Sequence, residues 1–164
     1  MIITQKQIIT SAITLVLAFT AEITYSQSTK TVTKSGTDHQ DTIIQKGDKQ
    51  STTLSQYGIG QQSFVIQKGY GQDANLNQSG VKNFAFIYQL LNNKHDNTQD
   101  AILKQSGLNN YLYLLQADLS NVQVTQEGTG NYFFYDQKSV SNDSTNTTTV
   151  TQSGNSNTVI IKQN

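Results

Sequence analysis

The chain has 164 residues, with 11 lysines and no arginine against 11 acidic residues, and it contains no Cys, Pro or Trp. A net charge of zero gives no basic patch, so no nucleic-acid partner is expected, and without Cys there are no disulfides and no thiolate metal sites. Few charges, no Pro and many Asn, Gln, Ser and Thr among β-formers is the composition of cross-β assemblies.

The N-terminus reads differently from the rest. Lys6 precedes an apolar run from Ile8 to Thr20, and the short residues Thr24 and Ser26 stand before a plausible cut ahead of Gln27. Residues 1–26 are expected to be a secretory signal peptide; the run falls short of the ~20 residues that span a bilayer. The expected mature chain begins near Gln27 and is secreted. Residues 27–38 read as a degenerate first segment with a weak strand, and 39–164 as a repeat domain.

Within that domain glutamine recurs at a step of eleven: Gln45, Gln56, Gln67, Gln78 and Gln89, then Gln105 and Gln116, Gln126 and Gln137, Gln152 and Gln163, with Lys34 one period before the first. A fixed period over most of a chain means one small unit stacked on itself. In the unit Gln78 to Gln89, residues Asn83 to Gln89 alternate with period two, as a strand does. Ser79 to Lys82 make a tight turn in which Gly80 is free to take positive φ. Gly36, Gly47, Gly58, Gly69, Gly80, Gly107, Gly128 and Gly154 all lie two residues after a marker, and none falls inside an expected strand. The expected fold is all-β: a two-strand-per-coil β-solenoid of about six coils.

The inward residues are two and four before each marker. They include Ile43, Leu54, Val65, Leu76, Ile87, Leu103, Leu114, Val124, Val150 and Ile161, with Ala74, Ala85, Ala101, Leu112, Val122 and Val159. Phe133 and Tyr135 also fall inward, which predicts a locally wider coil; Asp41 falls inward too, which predicts a frayed end. Marker amides would line both ends of the core, satisfied by hydrogen bonding to the same residue in the next layer.

Turns after odd-numbered strands all give an 11-residue step. Those after even-numbered strands vary, and the long ones at Leu90–Thr98 and Lys138–Thr145 are expected on one tolerant edge. The outer faces differ as well. Odd strands project polar side chains, Ile102 apart. Even strands project Phe64, Phe84, Phe86, Tyr88, Tyr111, Tyr113, Tyr132 and Phe134, a stripe larger than the ~300–600 Å² patch of an ordinary monomer. It reads either as cross-strand pairing that stabilises the sheet or as a contact face for another filament, a nucleating partner or a surface.

At these residues the sequence resembles the curlin repeat of bacterial curli fibres, Gln-x-Gly-x-x-Asn-x-Ala-x-x-x-Gln. Gln78, Gly80, Asn83, Ala85 and Gln89 match in full. The units beginning at Gln105, Gln126 and Gln152 keep the glycine and Asn110, Asn131 and Asn157, with Leu112, Phe133 and Val159 at the Ala position. Those beginning at Gln45, Gln56 and Gln67 carry Gln50, Gln61 and Gln72 in place of Asn. The resemblance covers about residues 30 to 164. It implies an exported subunit that polymerises into extracellular amyloid on the cell surface for adhesion and biofilm matrix. Its partners would be itself, other curlin-type subunits and the curli export and nucleation machinery. Leu91, Asp118 and Ser139 at glycine positions resemble a nucleator, whereas the intact last strand resembles the major subunit, and both remain open.

Chemistry-bearing motifs are absent. His39 and His95 have no neighbouring ligand, and Asp96, Asp100 and Asp143 form at most a weak hard-cation site. No Walker loop, nucleophile elbow or dinucleotide fingerprint occurs. No catalytic residue, cofactor or small-molecule substrate is expected. The alternative reading is a soluble monomeric β-solenoid, an adhesin or carbohydrate-binding module using the aromatic face.

Overall fold

The computed structural model describes residues 28–91, 98–117, 119–138 and 146–163. The signal-peptide expectation, most of both long turns, His95, Asp96, Asp118, Ser139 and Asp143 lie outside these residues. Twelve strands follow one another: β1 Thr29–Thr37, β2 Gln40–Asp48, β3 Ser51–Ile59, β4 Gln62–Tyr70, β5 Gln72–Val81, β6 Phe84–Leu91, β7 Gln99–Leu108, β8 Tyr111–Ala117, β9 Ser120–Thr129, β10 Tyr132–Gln137, β11 Asn146–Asn155 and β12 Thr158–Gln163. Odd strands form one six-stranded sheet in the order β1-β3-β5-β7-β9-β11, and even strands a second in the order β12-β10-β8-β6-β4-β2. Every pairing is parallel, marker on marker. The chain is an all-β solenoid of about six turns.

Alternation places every second side chain between the sheets. The cluster there runs from Leu54 and Val65 through Leu76, Ile87, Leu103, Leu114 and Val124, with Val32, Ile43, Val150, Val159 and Ile161 partly buried at its two ends. The column four before the even markers grades from polar to bulky along the axis: Asp41, Ser63, Ala85, Leu112, Phe133, Val159. Phe133 and Tyr135 are both fully buried. Thr148, a small inward residue of β11, lies within hydrogen-bonding reach of the Tyr135 hydroxyl.

The strand ends require a correction. Strands were expected to stop at the marker; β10 does so at Gln137, but in strands that carry the marker glycine the ladder runs on through it, and glycine pairs with glycine in the next layer, as in Gly58 with Gly80 and Gly80 with Gly107. Gly80 has φ +104, and a Cβ built on it would lie 2.1 Å from the carbonyl oxygen of Gly107. The parallel ladder therefore bends through the corner without breaking, which only a residue with no side chain permits. The corner is completed two residues later by a left-handed residue: Gly60, Gly71 and Gly130 take φ near +66, and Asp38, Lys49, Lys82, Asn109 and Ser156 take φ of 52–60. The first segment forms a strand whose residues are all exposed except half-buried Val32. β1 is a full nine-residue strand paired along its length with β3.

The long turns leave β6 and β10, two strands of one sheet, and enter β7 and β11 of the other. Both therefore depart from the same edge of the solenoid. At that edge Leu91 takes the glycine position, with its carbonyl against Gly69 and its side chain 2% exposed.

Candidate functional site

The marker glutamines lie at the two ends of the core, where the sheets meet, buried except for Gln45 and Gln163, which are partly covered. On one edge Gln56 donates through Nε2 to Oε1 of Gln78 at 2.9 Å, and Gln78 to Gln105, Gln105 to Gln126 and Gln126 to Gln152 do the same at 2.8–2.9 Å. On the other edge Gln45 donates to Gln67, Gln67 to Gln89 and Gln89 to Gln116 at 2.8–3.0 Å. Every bond points the same way along the axis, from the earlier layer to the later. The second amide proton ties the sheets together: Gln78 donates to the Gln62 carbonyl at 3.1 Å, Gln105 to that of Phe84 at 3.0 Å, and Gln152 to that of Tyr132 at 3.1 Å. Gln78, Gln105 and Gln152 thus hold partners in two directions, which offsets their burial.

A second amide set fastens the corners. Asn83 Nδ2 donates to the Ser79 carbonyl at 2.8 Å and to that of Gly107 at 3.2 Å, while its Oδ1 accepts from the backbone N–H of Asn110 at 3.0 Å. Asn110, Asn131 and Asn157 repeat the bond to the residue four before. Gln50, Gln61 and Gln72 make it as well, to Lys46, Tyr57 and Lys68. The longer side chain therefore does the work of Asn. Gln99 extends this set, accepting from Gln72 Nε2 at 3.1 Å in full burial. Sequence reasoning missed Gln99 and Ser120. Both stand six residues before the next marker, a spacing that identifies them once the corner geometry is known.

The ladders have ends. Oε1 of Gln45, Gln50 and Gln56 is buried without a donor, and so is Nε2 of Gln137 as a donor without an acceptor. In place of a marker glutamine the first layer carries Lys34, ion-paired with Asp41. Oδ1 of Asp41 accepts from Ser63 Oγ at 2.8 Å.

The aromatic side chains lie on the outer face of the even sheet, packed on one another. Phe84 is the hub: its centroid is 6.1 Å from Phe64, 6.3 Å from Tyr111 and 5.3 Å from Tyr113. Tyr113 continues the row to Phe86 and Tyr132. Phe84, Phe86, Tyr88, Tyr113, Tyr132 and Phe134 are half-buried; of the eight, Phe64 and Tyr111 are the exposed pair. Lys49 and Lys68 sit over the rings of Tyr70 and Tyr88.

On the odd face Asp73 and Asp100 stack directly in adjacent strands. Burial pushes the Asp100 carboxyl above its ordinary value and the Asp73 charge pushes it further, while a hydrogen bond from Thr98 works against both. Among the described residues no three His, Cys, Asp or Glu side chains converge as a metal site. His39 Nε2 instead lies 3.2 Å from the Ser35 carbonyl, in the corner position that amides take elsewhere. No helix among the described residues is long and apolar enough to cross a membrane.

No protein-family model matches the chain, and neither a curated protein nor a solved structure shows significant similarity to it.

Proposed function

We propose that the chain is a structural subunit of curli-type extracellular amyloid fibres, exported to the cell surface, where it supports adhesion and biofilm matrix by end-to-end strand stacking with further copies and with other curlin-type subunits. One observation carries this reading: among the described residues each sheet ends in strands with no further strand paired beyond them, β1 and β11 in one and β2 and β12 in the other. Open edges are templates for another chain, and here they carry a ladder already built to repeat. Stacking requires no catalytic group and no cofactor.

The test is growth. Purified Gln27–Asn164 is followed by thioflavin-T fluorescence with and without preformed seeds, and the product is examined by fibre diffraction. A lag abolished by seeds, with a ~4.8 Å meridional spacing, is the expected result. A folded β-rich monomer that shows no growth over days sinks the reading.

That second outcome would favour a soluble solenoid adhesin. The exposed pair Phe64 and Tyr111 would then be the first candidates for contact with a carbohydrate or protein surface.

A further inference from the structure

The first coil, β1 and β2, differs from the five that follow in having a charged interior. Lys30 stands in register with Thr52, Lys34 with Gln56 and Asp41 with Ser63. Lys34 and Asp41 pair with each other, and Lys30 Nζ donates to the Ile43 carbonyl at 3.2 Å. Lys34 still keeps 37% of its side chain in solvent. No inward position of the described residues in the later coils carries a charge.

The last coil, β11 and β12, is the reverse. Val150, Val159 and Ile161 are only partly covered, and Ile160 is 59% exposed. Gly154 is the telling residue. In its column Gly36, Gly58, Gly80, Gly107 and Gly128 each hold the next glycine's carbonyl oxygen 1.8–2.1 Å from where a Cβ would be, whereas Gly154 meets nothing nearer than Asn157 Nδ2 at 3.7 Å. The corner is shaped to receive one more glycine carbonyl.

The first coil supplies it. Extending the register of the chain by one layer sets Gly36 of a second copy on Gly154. It also sets Thr29, Thr31 and Thr33 on Thr147, Thr149 and Thr151, Val32 on Val150 and Ile43 on Ile161. Like pairs with like, as cross-strand stabilisation favours. Gln45, whose Oε1 lacks a donor, comes onto Gln163.

We infer that the last coil of one copy docks on the first coil of another in this register, and that Lys30, Lys34 and Asp41 make the junction a charged gate, the weakest layer of the stack. The inference rests on the fibre reading above and adds where copies meet and what limits their meeting. Docking must strip water from Lys34 and Lys30, which is costly for charges, and inward charges are a recognised way of restraining a strand edge.

Two experiments test it. Thr31 and Thr149 are exposed and sit on the two outermost strands of one sheet, so they cannot meet within a copy. In the proposed junction their Cα atoms lie ~4.8 Å apart, within disulfide range. Fibres of a 1:1 mixture of Thr31→Cys and Thr149→Cys copies should give disulfide-linked dimers on oxidation, and fibres of either variant alone should give none. Dimers from Thr149→Cys alone, or fibres without dimers from the mixture, overturn the register.

The gate is tested by Lys30→Thr, Lys34→Gln and Asp41→Ser together, which copy the interior of the second coil into the first. The critical concentration for assembly should fall about tenfold or more, because Thr, Gln and Ser cost far less to strip of water on docking than charged Lys and Asp. An unchanged or higher critical concentration, with fibres that still cross-link through the mixture, overturns the gate alone. If the wild-type chain forms no fibres under any condition, the fibre reading itself fails and takes the junction with it.

Discussion

The hydroxyl of Tyr135 lies 2.8 Å from Oε1 of Gln163 and 3.2 Å from Oε1 of Gln137. It takes the acceptor that the amide of Gln137 would otherwise use, and Nε2 of Gln137 is left buried without a partner. Burial holds the phenol above its ordinary pKa, so it remains a donor. The even ladder runs from Gln45 to Gln116, whose Nε2 turns to Asp100 and Ser120, and at the Gln137–Gln163 step a neighbouring side chain takes the acceptor.

Tyr135→Phe should therefore be nearly silent. It removes the hydroxyl's bonds to the glutamine oxygens and to Thr148 but frees Gln163 to accept from Gln137, so the expected change is within about 1 kcal/mol. Tyr135→Ala leaves a cavity and should cost about 3–5 kcal/mol. Urea unfolding of the soluble chain before assembly, followed by circular dichroism, measures both. A loss above about 3 kcal/mol for Tyr135→Phe would show that the hydroxyl is not a competitor for the ladder.

Two glycines separate backbone strain from layer contact. Gly80→Ala meets both a φ of +104 and the Gly107 carbonyl at 2.1 Å, whereas Gly154→Ala meets a φ of +95 and only an ordinary contact with Asn157 Nδ2 at 3.7 Å. The first should abolish folding. The second should cost only the left-handed strain, about 1–3 kcal/mol, and leave a folded chain that fails to extend preformed seeds. A Gly154→Ala chain that elongates seeds at the wild-type rate would contradict the close glycine approach at the junction.

Acid should stabilise the odd sheet. The folded-state pKa of Asp100 is raised above 3.8, first by burial and then by Asp73. The folded form thus binds this proton more tightly than the unfolded chain does. Its contribution is fully present below the unfolded value and is lost as pH rises through the folded one. Asp100→Asn should raise the unfolding midpoint at neutral pH and flatten its fall as pH rises above the ordinary carboxylate range. An unfolding midpoint for Asp100→Asn that falls with rising pH as steeply as the wild type's would place the dependence elsewhere.

Much of this arrangement was legible as period. The step of eleven separates Leu76 and Ile87, which face the core, from Asn75 and Phe86, which do not, because alternation and marker register are properties of the string itself. The corners were not legible. Whether a ladder continues through Gly80 depends on a backbone oxygen from another layer, and that contact leaves no trace in local sequence. Leu91 illustrates the same limit: it stands where a glycine was expected, yet it is buried. Thr52 and Ser63 are buried for a related reason. Each faces a polar partner, Gln67 and Asp41, that only stacking brings within reach.

The aromatic row should reveal its own hub. Phe84 touches three rings and Phe64 one of the same set, and each such contact is worth about 0.5–1.5 kcal/mol beyond burial. Phe84→Ala should therefore destabilise the chain by about 1–3 kcal/mol more than Phe64→Ala, the worth of two extra ring contacts, although Phe64 is the more exposed ring. Replacing Phe84, Phe86 and Tyr88 together with Ser tests the face in the assembled state. If the row is a contact surface, the fibres elongate from seeds but no longer bundle or adhere, as electron microscopy and a surface-binding assay would show. Loss of elongation itself would mean that the row acts within the sheet, by holding adjacent strands together through their rings.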